Sequence, residues 1–382
     1  MAGDVIGWNW ALPLVPYGEK FRRHRKYLAQ YFAKQCLPDH YHIQLKEARH
    51  LVNDLLDDPN GFKHHIERMA GAVIMEIVYG HEVKSIDDNF LQIASKGGRT
   101  IAAAGAVGAH IVDLIPSHWF PGASFKRLPP GTREDLLAMR DVPFNFVKEK
   151  MRQCTKDEEG VRDTAGNIYS AGFDTTLAAL MTAILALVLD PVVQARAHAE
   201  LDSVIGRNRL PDFSDRERLP YIHCIINETF RWGVVTPVGV PHRLTQDDTY
   251  NGYFLPAGTT IIANTWAKLH DANVFADPEH FDPDRFLVGE GRTPPLDPRG
   301  PAFGFGRRAC PWNDIAENTL WITIVSMLHC FQLMPGLDEN GKEIPINNKH
   351  TERSVRHPEP FKCVIKPRWK DSATLIRDAQ GN

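Results

Sequence analysis

Three observations predict a mainly α-helical fold with a small β-sheet. Helical apolar periodicity runs through most of the chain from about residue 19 to 232. Beyond residue 233 the texture changes to short aromatic and β-branched runs set between Gly and Pro turns. Over 382 residues the composition is 43% hydrophobic and 24% charged, which is ordinary globular usage for one large domain or two smaller ones.

Residues 19–36 carry Lys20, Arg22, Arg23, Arg25 and Lys26 interleaved with Phe21, Tyr27, Leu28 and Phe32, the pattern of a basic amphipathic helix. Helical periodicity continues over 39–85. Residues 101–115 are rich in Ala and Gly and apolar on most faces until Pro116 breaks them, and four prolines make 116–131 a loop. A third helical block spans 133–155, and the short polar stretch 156–163 reads as a connector.

Ile168 to Leu189 is apolar almost all round, as a buried central helix must be, and Asp190-Pro191 stops it. Helices also fit 192–205 and 219–232. Thr249 to Ile262 reads as short strands about turns, 289–302 as a long irregular loop, 313–329 as the last helix, and the tail after 331 as short strands.

The net charge of −3 gives no global basic field, so nucleic acid is not an expected partner. Six cysteines, at 36, 154, 224, 310, 330 and 363, lie far apart without a C-x-x-C pair, which suits a reducing compartment. Residues Met1 to Trp10 include Asp4 and lack an apolar core. The apolar run Leu177 to Leu189 is shorter than the roughly 20 residues that a bilayer needs. A soluble or peripheral chain is expected.

Chemistry concentrates in Phe303-Gly-Phe-Gly-Arg-Arg-Ala-Cys-Pro-Trp312. A glycine-rich loop delivers Cys310 just before a helix N-terminus, where unpaired N–H groups and the positive dipole end favour a thiolate. Glycines let a flat ligand approach the backbone, and Arg307 and Arg308 offer charge to an anion such as a heme propionate. The loop suits an iron-ligating thiolate. The alternative is a buried structural cysteine beside a glycine turn.

Further motifs stand in order along the chain. Ala171-Gly172-Phe173-Asp174-Thr175-Thr176 interrupts the apolar central helix with polar groups and a glycine, which suggests a ligand groove, or else a local packing irregularity. Glu228 and Arg231 share one helix face, which alone reads as a solvated surface pair. Val235 to His242, with Pro237, Gly239 and Pro241, is apolar and extended, or a plain connector.

Together these segments resemble the cytochrome P450 family. The cysteine loop is similar to its F-x-x-G-x-R-x-C-x-G signature: Phe303, Gly306, Arg308 and Cys310 match, and Trp312 replaces the last glycine. Residues 171–176 match A-G-x-D-T-T. Glu228 and Arg231 match E-x-x-R, with Arg285 of Pro283-Asp-Arg-Phe286 as the usual third partner. Phe21 to Arg25 resembles W-x-x-x-R with Phe in place of Trp. The resemblance covers about residues 7–367 and is closest to fungal members acting in secondary metabolism.

The resemblance implies a single domain over 1–382, helical over about 19–232, with β elements, the heme-binding loop and the last helix over about 233–367. It implies a heme b bound by Cys310 as axial iron ligand, with Phe303, Gly306, Arg308, Arg25 and His242 around it. Thr175 would hydrogen-bond dioxygen, Asp174 would relay protons and Gly172 would make room for the oxygen. Glu228, Arg231 and Arg285 would be scaffold, and Phe173, Val235, Val238 and Val240 would line a pocket for an apolar small molecule. The implied reaction inserts one atom of O2, with electrons from NADPH through a flavoprotein reductase at the cytosolic face of the endoplasmic reticulum. The basic face of residues 19–36 would suit that acidic partner.

The sequence also departs from the family. The usual membrane anchor, proline hinge and first strands, on the order of 100 residues, have no counterpart before Met1, and the segments near 115–131 and 151–163 are short. Trp312 restricts a turn where the family has glycine. These departures favour a second reading, a truncated non-catalytic remnant with impaired heme binding.

Overall fold

The computed structural model describes residues 7–104, 131–151, 157–289 and 293–379. Residues 105–115 of the apolar 101–115 stretch, most of the 116–131 loop, the last residues of the expected 133–155 helical block and residue 156 lie outside the described residues.

The central element is a 32-residue helix, α6 (Glu158–Leu189). It begins well before the expected Ile168. The polar stretch taken for a connector is its first turns: the Asp157 side chain caps the Gly160 N–H, and Glu158 and Glu159 sit against the positive helix end. Nearby Asp163 is buried but paired with Lys20 at 3.0 Å. The acids that made the segment look like a loop therefore act as helix-start signals. The full helix is also the one described helix long and apolar enough to cross a membrane, and 72% of its apolar window is buried inside the fold.

Most of the major helices pack on α6. α1 (Glu19–Phe32), α3 (Phe62–Tyr79), α4 (Asn89–Ala104) and α5 (Thr132–Lys150) form one side, and Ile168, Tyr169 and Phe173 bury against Leu28, Ala72, Met75, Leu91 and Met139 there. α7 (Pro191–Val204), α8 (Pro220–Gly233) and α11 (Asn313–Cys330) meet the C-terminal half of α6, where Leu177 to Val188 joins the larger core, and α2 (Pro38–Asp57) adds to that core by packing on α3 and α11. The 39–85 helical stretch is two helices, because Asp58-Pro59-Asn60-Gly61 makes a tight turn between them.

The β component is small. β1 (His242–Arg243) pairs antiparallel with β4 (Thr260–Ile261), β2 (Asp248–Tyr250) with β3 (Tyr253–Leu255), and β5 (Phe331–Pro335) with β6 (Cys363–Pro367). Short helices α9 (Thr265–Leu269), α10 (Arg299–Phe303) and α12 (Ser372–Asp378) complete the described elements.

A buried ion cluster fixes α8 to the segment beyond α9. Glu228 accepts two bonds from Arg231, both at 2.7 Å, and one from Arg285 at 3.2 Å; the Asp282 N–H adds another at 2.8 Å. Arg231 also donates to the Pro278 and His280 carbonyls. Burial pushes the Glu228 carboxyl up, and both arginines and the Asp282 N–H pull it down. The pair is no solvated surface couple, since Glu228 and Arg231 are fully buried.

Arg231→Ala removes two of the four bonds to the buried Glu228 carboxylate and the donor to the Leu269, Pro278 and His280 carbonyls. The expected loss is about 3–5 kcal/mol of stability in urea unfolding; an unchanged midpoint would contradict the cluster's structural role.

Candidate functional site

The loop that carries Cys310 is set by two glycines and two helices. Gly304 lies at φ 84°, ψ −173° and Gly306 at φ 57°, conformations that side-chain-bearing residues rarely adopt. The turn lets the Cys310 N–H donate to the Phe303 carbonyl at 2.7 Å. The Phe303 ring packs edge-on against Phe230 of α8, 5.1 Å between centroids. Arg299 of α10 reaches Glu317 of α11 at 3.0 Å, so the helices on either side of the loop are tied to each other.

Cys310 is half-buried immediately before α11. Burial pushes its thiol up from the ordinary value, while the Trp312 N–H and the Arg25 guanidinium pull it down. The helix end alone does not make a thiolate: desolvation outweighs it. An iron cation would reverse that balance, because a coordinating thiol is deprotonated outright.

Arg25 of α1 donates to the Ala309 carbonyl at 2.8 Å, one residue before the cysteine. Arg308 spends two of its N–H groups on the Leu12 carbonyl, at 3.2 Å, and the Val15 carbonyl, at 2.9 Å, and its guanidinium lies 4.1 Å from the centre of the Phe21 ring. Phe21 thus serves as an aromatic platform, a task that needs no indole N–H. His242 is exposed in β1 opposite Ile261.

Trp312 is accommodated without backbone strain, with its indole N–H buried and unpartnered among the described residues. Its backbone lies at φ −111°, ψ 10°, open to any residue, and its ring packs 4.3 Å from Phe32 of α1, which stacks in turn on His40. The glycine of the usual signature is not required by this loop.

The central helix, buried along most of its length, becomes accessible at residues 171–176: Ala171 is exposed, and Gly172, Asp174, Thr175 and Thr176 are half-buried. Thr175 Oγ1 donates to the Ala171 carbonyl at 2.8 Å, a back-bond that loosens a helix turn. One expectation needs correction here, that of Phe173. Gly172 faces α3: a Cβ there would stand 2.9 Å from Ile74 Cδ1, so a side chain would crowd that helix. Phe173 is buried against the same helix, beside Gly71, and is core rather than pocket lining.

Asp174 meets a residue the sequence reading missed. His357, on a loop closed by the His350–Pro358 bridge, places Nε2 3.0 Å from Asp174 Oδ1. No spacing signal could have found this pair, because the partners belong to elements remote in the chain. The same loop donates the Arg356 N–H to the Val235 carbonyl at 2.8 Å. Val235 is half-buried against the main core, whereas Val238 and Val240 are 43% and 49% exposed.

A heme demands a soft ligand on a loop without bulk, cations for its carboxylates, and an opening in the apolar wall. Cys310 between the Gly304–Gly306 turn and α11, Arg25 bonded to that loop, and the accessible window of α6 satisfy these demands. The residues present fit the group.

Comparison with known proteins agrees. The sequence profile of the family described as Cytochrome P450 matches residues 7–365. A cytochrome P450 monooxygenase of Armillaria gallica is 38% identical over 403 residues, covering 98% of this chain and 79% of that protein. Another, of Ampulloclitocybe clavipes, is 36% identical over 98% of this chain and 74% of its own length. A tryptamine 4-monooxygenase of Psilocybe cyanescens is 33% identical over 97% and 78%.

Two substitutions test the loop. Gly304→Ala places a Cβ in a glycine-only region and is expected to cost about 1–3 kcal/mol in urea unfolding. Trp312→Gly restores the usual signature residue yet is expected to destabilise by about 2 kcal/mol, because it deletes the packing on Phe32 and adds backbone freedom. A stabilised Trp312→Gly protein would contradict the packing described.

Proposed function

The chain belongs to the cytochrome P450 family, and on that footing we propose that it is a heme-thiolate monooxygenase acting on an apolar small molecule, in secondary metabolism as in fungi. The observation that carries this reading is the seat of Cys310: a half-buried thiol on a glycine turn, bonded through its N–H to Phe303 and flanked by Arg25. The names of the three relatives all specify monooxygenases, and one specifies tryptamine, a small molecule.

The overall reaction consumes O2, two electrons and two protons, and yields one hydroxylated product and one water. We assign the electrons to NADPH by way of a flavoprotein reductase, which the exposed Arg22, Lys26 and Arg307 would help to dock at the cytosolic face of the endoplasmic reticulum. When bound, the heme supplies the oxygen-activating chemistry.

The chain's own residues do the rest. Cys310 would hold the iron, its sulfur polarised by the Trp312 N–H and Arg25. Phe303 and the turn at Gly306 would bear on the macrocycle. Arg25 keeps further N–H groups for a propionate, and we assign Arg308 and His242 to secondary positions around it, since Arg308 already serves two carbonyls. Thr175, whose hydroxyl needs only to exchange the Ala171 carbonyl for a new acceptor, would hydrogen-bond dioxygen, and Asp174 would deliver protons from the accessible window. Val235, Val238 and Val240 would form an apolar wall that excludes water.

Cys310→Ala is expected to abolish a thiolate-type heme spectrum while the fold, read by circular dichroism, persists; an unchanged spectrum would remove the ligand assignment. Thr175→Ala is expected to divert reductant from product to peroxide or water by about tenfold or more. Unaltered product yield per NADPH would argue against its oxygen role.

A further inference from the structure

The Asp174–His357 contact carries an inference of its own, resting on the proposed function. Asp174 is the one acid in the accessible window of α6, at residues 171–176. A lone aspartate on a helix surface has free χ1 and χ2 and samples several rotamers. Here it is not alone: His357 Nε2 lies 3.0 Å from Oδ1, and both side chains are partly shielded, 24% exposed for His357 and 32% for Asp174.

His357 is itself held. Its N–H donates to Thr351 Oγ1 at 3.1 Å, and its carbonyl accepts from the Thr351 N–H at 2.8 Å. The adjoining Arg356 N–H is bound to Val235, and the Glu359 N–H to the Lys349 carbonyl at 2.9 Å. Four bonds therefore fix the loop that carries the imidazole, and one of them anchors it to the apolar connector after α8. Such a support is what keeps a functional side chain in one geometry.

We propose that His357 is the positioning residue for Asp174. It holds the carboxylate at the window of α6 and joins the central helix to the 349–359 loop, so that the proton-handling acid and the Val235 wall move as one unit. His350 and Arg356 lie on the same loop, and Glu279 is the opposite charge that acts on Arg356. His350 is kept neutral by burial, which pushes its pKa down to about 4. Asp174 is the acid within ion-pair distance of His357.

The test separates the pair from the heme chemistry. Hydrogen–deuterium exchange on the full chain reads the loop amides of Thr351 and His357. His357→Leu and Asp174→Asn are each expected to raise their exchange by about two- to fivefold, the worth of a half-exposed pair. The double variant should exceed neither single one, and His357→Gln, which keeps an N–H near the Nε2 position, should restore slow exchange. This arm is informative even in protein that fails to bind heme, so its failure and that of the Cys310 reading are distinguishable. In heme-loaded enzyme, His357→Leu is expected to lower product per NADPH by about three- to tenfold with KM little changed. It should have no further effect in the Asp174→Asn background. Unchanged exchange in both single variants, or a His357→Leu loss of equal size in that background, would overturn the proposal.

Discussion

A helix of 32 residues buried along most of its length dictates the rest of this structure. Burying it requires apolar groups on every face, and elements on every side to cover them. Two core clusters meet along it: one built with α1, α3, α4 and α5, the other with α2, α7, α8 and α11. Polar residues inside such a helix must be paired, capped or exposed. Asp163 is paired with Lys20, Asp157 caps the start, and Asp174 and Thr175 lie where the covering elements leave the helix accessible. The candidate site is thus the place where burial lapses.

Opposing electrostatic demands shape the cysteine loop. Desolvation raises the thiol, while a helix-end N–H and Arg25 lower it. Without a metal the first effect wins, so the loop is poised for a cation that would tip the balance. Its rigidity comes from elsewhere: the Gly304 turn, the Arg299–Glu317 bond across the loop, and the Glu228 cluster that anchors α8 beneath Phe303. Trp312 adds to that rigidity by filling space against Phe32 where a glycine would leave backbone freedom.

Much of this was legible in the chain itself. The stop at Asp190-Pro191, the amphipathic α1 and the glycine turn before Cys310 follow from local rules, and local rules act on neighbours in sequence. What escaped depended on distance or on direction. The start of α6 was misread because acids at 157–163 suit both a loop and a helix N-terminus. Phe173 was assigned to a cavity, yet it faces α3, because a helix apolar all round gives no periodicity to tell one face from another. The contact of His357 with Asp174 has no local signature at all, and Glu228 with Arg231 reads as a surface pair until Arg285 and three carbonyls are placed around it.

The central claim is that Cys310 presents a thiolate to heme iron from this loop. The carbon monoxide difference spectrum of the reduced, heme-supplemented chain tests it most directly. The account predicts a strongly red-shifted Soret band, the mark of thiolate ligation. A band at the position of neutral axial ligands, or no heme band at all, would contradict it and favour a helical remnant that keeps the fold without the cofactor.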